Sequence, residues 1–102
     1  MTKVQRKSKR IRVALPVRVT LFDEEHAATA EMEGKLHDLS VGGCSIHTQQ
    51  EIPIGDRVQV QIELDEHYAN KFHQQQLTAR GVIIRSLRED SGILISIRFS
   101  KP

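Results

Sequence analysis

Aromatic residues are scarce in this chain of 102 residues: no tryptophan, one tyrosine and three phenylalanines. A surface that binds nucleic acid by stacking bases on rings needs more than Phe22, Tyr68, Phe72 and Phe99, spread over a whole fold, can supply. The single cysteine, Cys44, cannot close an internal disulfide, so cysteine usage does not point to an oxidising compartment. No apolar run approaches the length of a membrane span. The basic start, MTKVQRKSKR, lacks the apolar segment that follows it in a secretory signal. His26, His37, His47, His67 and His73 have neither metal-ligand spacing nor companion cysteines, so they read as surface or loop positions and no metal is expected. One cytoplasmic domain with one core is the expectation.

Acidic residues are absent from one stretch. Residues 1–22 carry seven of the fifteen lysines and arginines and no acid. The remaining eighty residues hold eight basic and all thirteen acidic side chains, a net of −5 that the overall +2 conceals. A basic arm is joined to a mildly acidic body, and such an arm draws anions: nucleic acid, a membrane surface or a phosphorylated small molecule. The arm has like charges and only Val4 as an apolar anchor, so residues 1–10 are expected to be mobile without a ligand.

What is present is strand signal. Val13, Leu15, Val17, Val19 and Leu21 alternate with other residues at a period of two, as do Val58, Val60, Ile62 and Leu64, and again Ile93, Ile95, Ile97 and Phe99. Pro16 cannot donate to a ladder and suggests an edge or a bulge. Leu77 to Arg85 is rich in β-formers but mixed, with Gly81 a candidate bulge. Shorter runs near 34–39 and 43–48 flank Asp38-Leu-Ser-Val-Gly-Gly43. Residues 65–76 fit either a loop or one short helix, and residues 23–33 are equally ambiguous. Five or six short antiparallel strands in about 90 residues predict a small all-β barrel, which removes exposed sheet edges. Its interior would be filled by aliphatic side chains, so any ligand site belongs outside it.

Two patterns carry chemistry. Arg6-Lys-Ser-Lys-Arg10 is an RxxxR spacing, and Asp38-Leu-Ser-Val-Gly-Gly43 is a DxSxxG turn. Each alone is common; a DxSxxG segment can be only a turn, with Asp and Ser bonding local backbone and glycine at positive φ. In this order, ahead of a barrel pattern, they make the chain resemble the PilZ domain family over nearly its whole length. The resemblance extends to Val13-Ala-Leu-Pro-Val-Arg-Val19, to residues 34–46, to Gly81-Val-Ile-Ile-Arg85 and to the closing strand ending at Phe99. It implies a six-stranded antiparallel barrel over residues 13–102, a flexible arm over 1–12, and binding of cyclic di-GMP as ligand, with no cofactor. Arg6 and Arg10 match the family's two arginines; Asp38, Ser40 and Gly43 match its second motif. Gln5 and Gly42 are further candidate contacts.

The chemistry of these residue types suits that ligand. An arginine fork pairs with phosphate oxygens or with guanine O6 and N7, and its plane stacks on a base. Asp38 would repel a phosphate, so its role is to accept from guanine N1–H and N2–H₂, with Ser40 donating to or accepting from the same base. Gly42 and Gly43 allow close backbone approach and offer N–H groups.

Competing readings are a PilZ-like adaptor that binds protein without ligand, and a small barrel that binds nucleic acid through the arm. An enzyme ranks below both, because Ser40 and His37 form no base–orienter arrangement in sequence. A receptor without an output domain implies an unidentified downstream partner protein, in motility, exopolysaccharide or pilus control. Monomer and homodimer are both compatible with the sequence.

Overall fold

The computed structural model describes residues 14–100. The alternating segments become strands: β1 (Pro16–Phe22), β2 (Ala28–Leu39), β3 (Gly43–Thr48), β4 (Arg57–Glu63), β5 (Gln76–Glu89) and β6 (Gly92–Phe99), with one helix, α1 (Glu66–Phe72), between β4 and β5. All pairings are antiparallel and close into a barrel in the order β1-β2-β3-β6-β5-β4.

The period of two is what fills the barrel. Val17 and Val19 on β1, Val58, Val60 and Ile62 on β4, and Ile93, Ile95 and Ile97 on β6 all point inward and are buried. Leu36, Ile46 and Ile83 complete the wall from β2, β3 and β5, and Ile52 from the β3–β4 connection. Burying each such side chain is worth about 1.5–3 kcal/mol relative to exposure. Every large member of this core is aliphatic, as the composition implies.

Both ambiguous segments are resolved by local hydrogen bonding. The Asp23 side chain accepts from the N–H groups of Glu25 and Ala27, at 2.9 Å each, and His26 adopts φ 64°, so residues 23–27 form a turn. Residues from Ala28 onward extend β2 well beyond the short run legible in the sequence. In the second segment Asp65 caps a helix by accepting from Tyr68 N–H at 2.9 Å, and His73 ends it in the left-handed conformation at φ 57°.

Two expectations about irregularities need correction. Pro16 is neither at an edge nor in a bulge; it is the first residue of β1, which is paired on both sides, and a first position tolerates a missing N–H. Gly81 is not a bulge either. A Cβ there would lie 2.5 Å from the Arg98 carbonyl oxygen, so glycine permits a close approach of β5 and β6, and the register shift comes later, between Ile83 and Arg85.

Candidate functional site

The DxSxxG segment is the connection between β2 and β3. Ser40 closes it: its N–H donates to the Gly43 carbonyl at 2.9 Å, and its hydroxyl donates to the same oxygen at 3.3 Å. With its proton used within the turn, Ser40 Oγ retains lone pairs for an external donor. Gly42 anchors the turn to the barrel through its carbonyl, which accepts from Phe99 N–H at 2.9 Å.

The glycines act differently from the expectation for an isolated turn. Neither Gly42 nor Gly43 is among the glycines at positive φ, which are Gly55 and Gly92. Gly43 is pressed against the Ile97 carbonyl of β6, where no Cβ would fit, whereas a Cβ at Gly42 would meet nothing within 4 Å. Packing of strand on strand, not turn geometry, requires a glycine at 43.

Asp38 reaches the outer face through a bulge. Leu36 pairs with Ile46 and Asp38 with Ser45, so His37 is an extra residue in β2. Leu36 points into the core, and unbroken alternation would send Asp38 there too. The added residue turns His37 and Asp38 together to the outside and returns Leu39 to the core side. Asp38 and His37 line a shallow trough together with Ser45, Ser96 and Arg85. Of the sequence-derived candidates, Asp38, Ser40, Gly42 and Gly43 lie along one β2–β3 connection, but Asp38 lines this trough whereas Ser40 lines a separate apolar recess with Val41, Phe72 and Phe99. Gln5, Arg6 and Arg10 lie outside the described residues, as does the expected mobility of the arm.

The sequence did not reveal a linked set of side chains beside this corner. His37 and His47 sit half-buried on strands, not in loops, with Nδ1 of His37 3.0 Å from Nε2 of His47. The other ring nitrogen of His47, Nδ1, is 3.4 Å from Glu89 Oε1. A spacing of ten residues between the two histidines becomes adjacency only because β2 and β3 form a hairpin with a bulge. Among the described residues, no group of three histidine, cysteine or acidic side chains could hold a metal ion.

Behind Asp38 lies Cys44, 3% exposed in the core. Burial, and secondarily the negative charge of Asp38, push its thiol from 9.0 up to about 12. It is therefore a small apolar core residue and an inert thiol, not a nucleophile. No helix among the described residues is long and apolar enough to cross a membrane.

Comparison with known proteins gives a consistent result. The profile of the PilZ domain matches residues 4–102. A search of curated protein sequences found no match. Among solved structures, the inhibitor of motility MotI/DgrA from Bacillus subtilis superposes with a TM-score of 0.71 at 17% identity, covering 97% of this chain and 44% of that one. The chain thus spans less than half the length of that protein. The PilZ domain of CeSA from a cellulose-synthesizing bacterium gives 0.62 at 22% identity, covering 92% and 83%. The PilZ domain of YcgR from Escherichia coli, solved with c-di-GMP, gives 0.59 at 18% identity, covering 94% and 78%. At these identities the likeness is one of fold.

Proposed function

This chain belongs to the PilZ domain family, and we propose that it is a non-enzymatic receptor for cyclic di-GMP. The observation that carries this reading is the corner at the end of β2. Asp38 faces outward there, Ser40 Oγ keeps acceptor capacity, and Gly42 adds no side chain to the turn, where Val41 projects into solvent. An outward carboxylate, two residues along the turn from a hydroxyl with acceptor capacity, suits the N1–H and N2–H₂ donors of guanine and does not suit a bare phosphate. The YcgR PilZ domain and MrkH, relatives in fold, were solved with this dinucleotide bound.

The described chain begins beside the same corner. The Leu15 carbonyl accepts from Leu36 N–H at 2.8 Å, which continues the pairing of Pro16 with Lys35. An arm leaving β1 at this end starts only a few residues from the turn. On this reading Arg6 and Arg10 supply forks for the phosphates or the guanine O6 and N7 atoms, with Gln5 a further contact, and residues 1–12 act as an arm on a barrel of residues 13–102. Ordering of the arm over the ligand would change the surface offered to a downstream partner protein, and a cytoplasmic location fits that role.

Calorimetric titration of the full chain with cyclic di-GMP tests the proposal. Saturable binding at a whole-number stoichiometry is expected. Absence of heat and of any ligand-dependent rise in melting temperature at millimolar ligand would refute it.

A further inference from the structure

Four strands share one outer rung beside the turn. Asp38 on β2 pairs with Ser45 on β3, Ser45 with Ser96 on β6, and Ser96 with Arg85 on β5. The two serine hydroxyls are 3.4 Å apart. A carboxylate and a guanidinium thus stand at the two ends of a row whose middle is hydroxyl, about three strand spacings or ~14 Å apart at Cα.

Arg85 reaches that row by the same device as Asp38. Ile83 is buried and pairs with Ile97, while Arg85 pairs with Ser96, so Ile84 is an extra residue in β5. Strict alternation from Gly81 and Ile83 would put Arg85 inside the barrel. The bulge instead turns Ile84 and Arg85 outward, leaving Ile84 47% exposed. Two separate bulges, one in β2 and one in β5, therefore flank the β3–β6 pair at one height. Each moves one charged residue from the inward set to the same trough.

The other arginines of this strand have occupations that Arg85 lacks. The Arg80 guanidinium lies 5.7 Å from the centre of the Phe22 ring, and Arg88 pairs with Glu51 at 3.4 Å. Among the described residues Arg85 has no ion pair. Next to it Leu87 and Leu94, directly paired across β5 and β6, give the trough an apolar floor. A planar base needs such a floor at its face and polar groups at its edges.

We propose that Arg85 is a ligand-binding residue. It is the far anchor of the Asp38–Ser45–Ser96–Arg85 row, and its fork takes an acceptor pair of the guanine nucleotide whose donor edge Asp38 receives. The proposal rests on the cyclic di-GMP reading above. The acceptor pair is either two phosphate oxygens or the guanine O6 and N7, for which a guanidinium is equally suited.

The test is calorimetric titration of the full chain and of R85A, R85K and R88A with cyclic di-GMP, with melting temperature measured without ligand. R85A is expected to bind at least about tenfold more weakly, R85K to recover only part of the loss, and R88A to bind like the parent. All four should melt alike, since these side chains are exposed. A loss in R85A that shrinks with added salt identifies phosphate, and one that persists identifies the guanine face. If the parent chain binds while R85A binds as tightly as R88A, the role of Arg85 is overturned and the receptor reading stands. If the parent chain does not bind, both fall.

Discussion

The carbonyl oxygen of Ile97 occupies the space where a side chain at Gly43 would begin. Gly42, its neighbour, faces open space, although both belong to the same turn. Packing therefore demands a glycine at 43 and makes no such demand at 42. Gly43→Ala forces β3 away from β6 and is expected to destabilise the fold by about 1–3 kcal/mol, the usual cost of overpacking. Gly42→Ala should change stability by less than about 0.5 kcal/mol, as an unobstructed surface substitution. Urea denaturation of both variants checks this; equal midpoints would show that the strands relax apart without cost.

Asp38 distinguishes recognition of a base from attraction of a phosphate. If it accepts from guanine, Asp38→Ala weakens cyclic di-GMP binding, and Asp38→Asn, which keeps an acceptor oxygen, weakens it less. A site for phosphate alone would behave in the opposite way, because deleting a nearby anion favours another. Ser40→Ala should be milder, about 0.5–1.5 kcal/mol. Cyclic di-AMP, which lacks the N2 donor and presents an amine in place of O6, should be rejected. Competition between the two dinucleotides is the measurement, and comparable affinities would remove the guanine-reading role.

For the arm, Arg6→Ala and Arg10→Ala are each expected to cost about 1–3 kcal/mol of binding, the scale of one bidentate contact to a base. Lysine at either position should rescue poorly, since it keeps the charge but loses the fork and the plane. Full rescue by lysine in the same titration would mean that the arm supplies charge alone and would favour nucleic acid as its partner.

Cys44 makes the fold sensitive to alkali. Its folded pKa of about 12 exceeds the ordinary 9.0. Below pH 9 the thiol is protonated in both states and costs nothing. Between pH 9 and 12 the unfolded thiol ionises while the folded one does not, so stability falls as pH rises, by at most about 1.4 kcal/mol per unit. Above 12 the contribution is flat. Cys44→Ala should lose some stability throughout but should show a shallower decline over that window. The difference between the two unfolding free energies, followed from pH 8 to pH 12, is the observable, and parallel curves would contradict the shift.

Much of the barrel was legible because inward and outward residues alternate. Val58 to Ile62 and Ile93 to Ile97 state their own faces, and aliphatic size excludes an internal cavity before any coordinates exist. The Asp38 to Gly43 turn was likewise legible from its residue types. The length of β2 was not. Its first half, Ala28 to Glu33, is mostly exposed and shows no apolar alternation with large side chains, and it is held in place by pairing with β1 instead of by burial.

What the sequence by itself determined is the set of residues and their period: an aliphatic barrel of five or six strands, which the structure fixes at six, a DxSxxG turn and a basic N-terminal stretch. Only the tertiary structure decided which face the charged residues share. Period-two reading from Leu36 and from Ile83 places Asp38 and Arg85 inside, and both lie outside, because one extra residue in each strand inverts the alternation. A bulge is a mismatch between two strands. It exists only in their pairing, so neither strand's own residues announce it. The same pairing brings His37 to His47 and Ser45 to Ser96 across 10 and 51 residues of chain, distances over which local pattern carries no information.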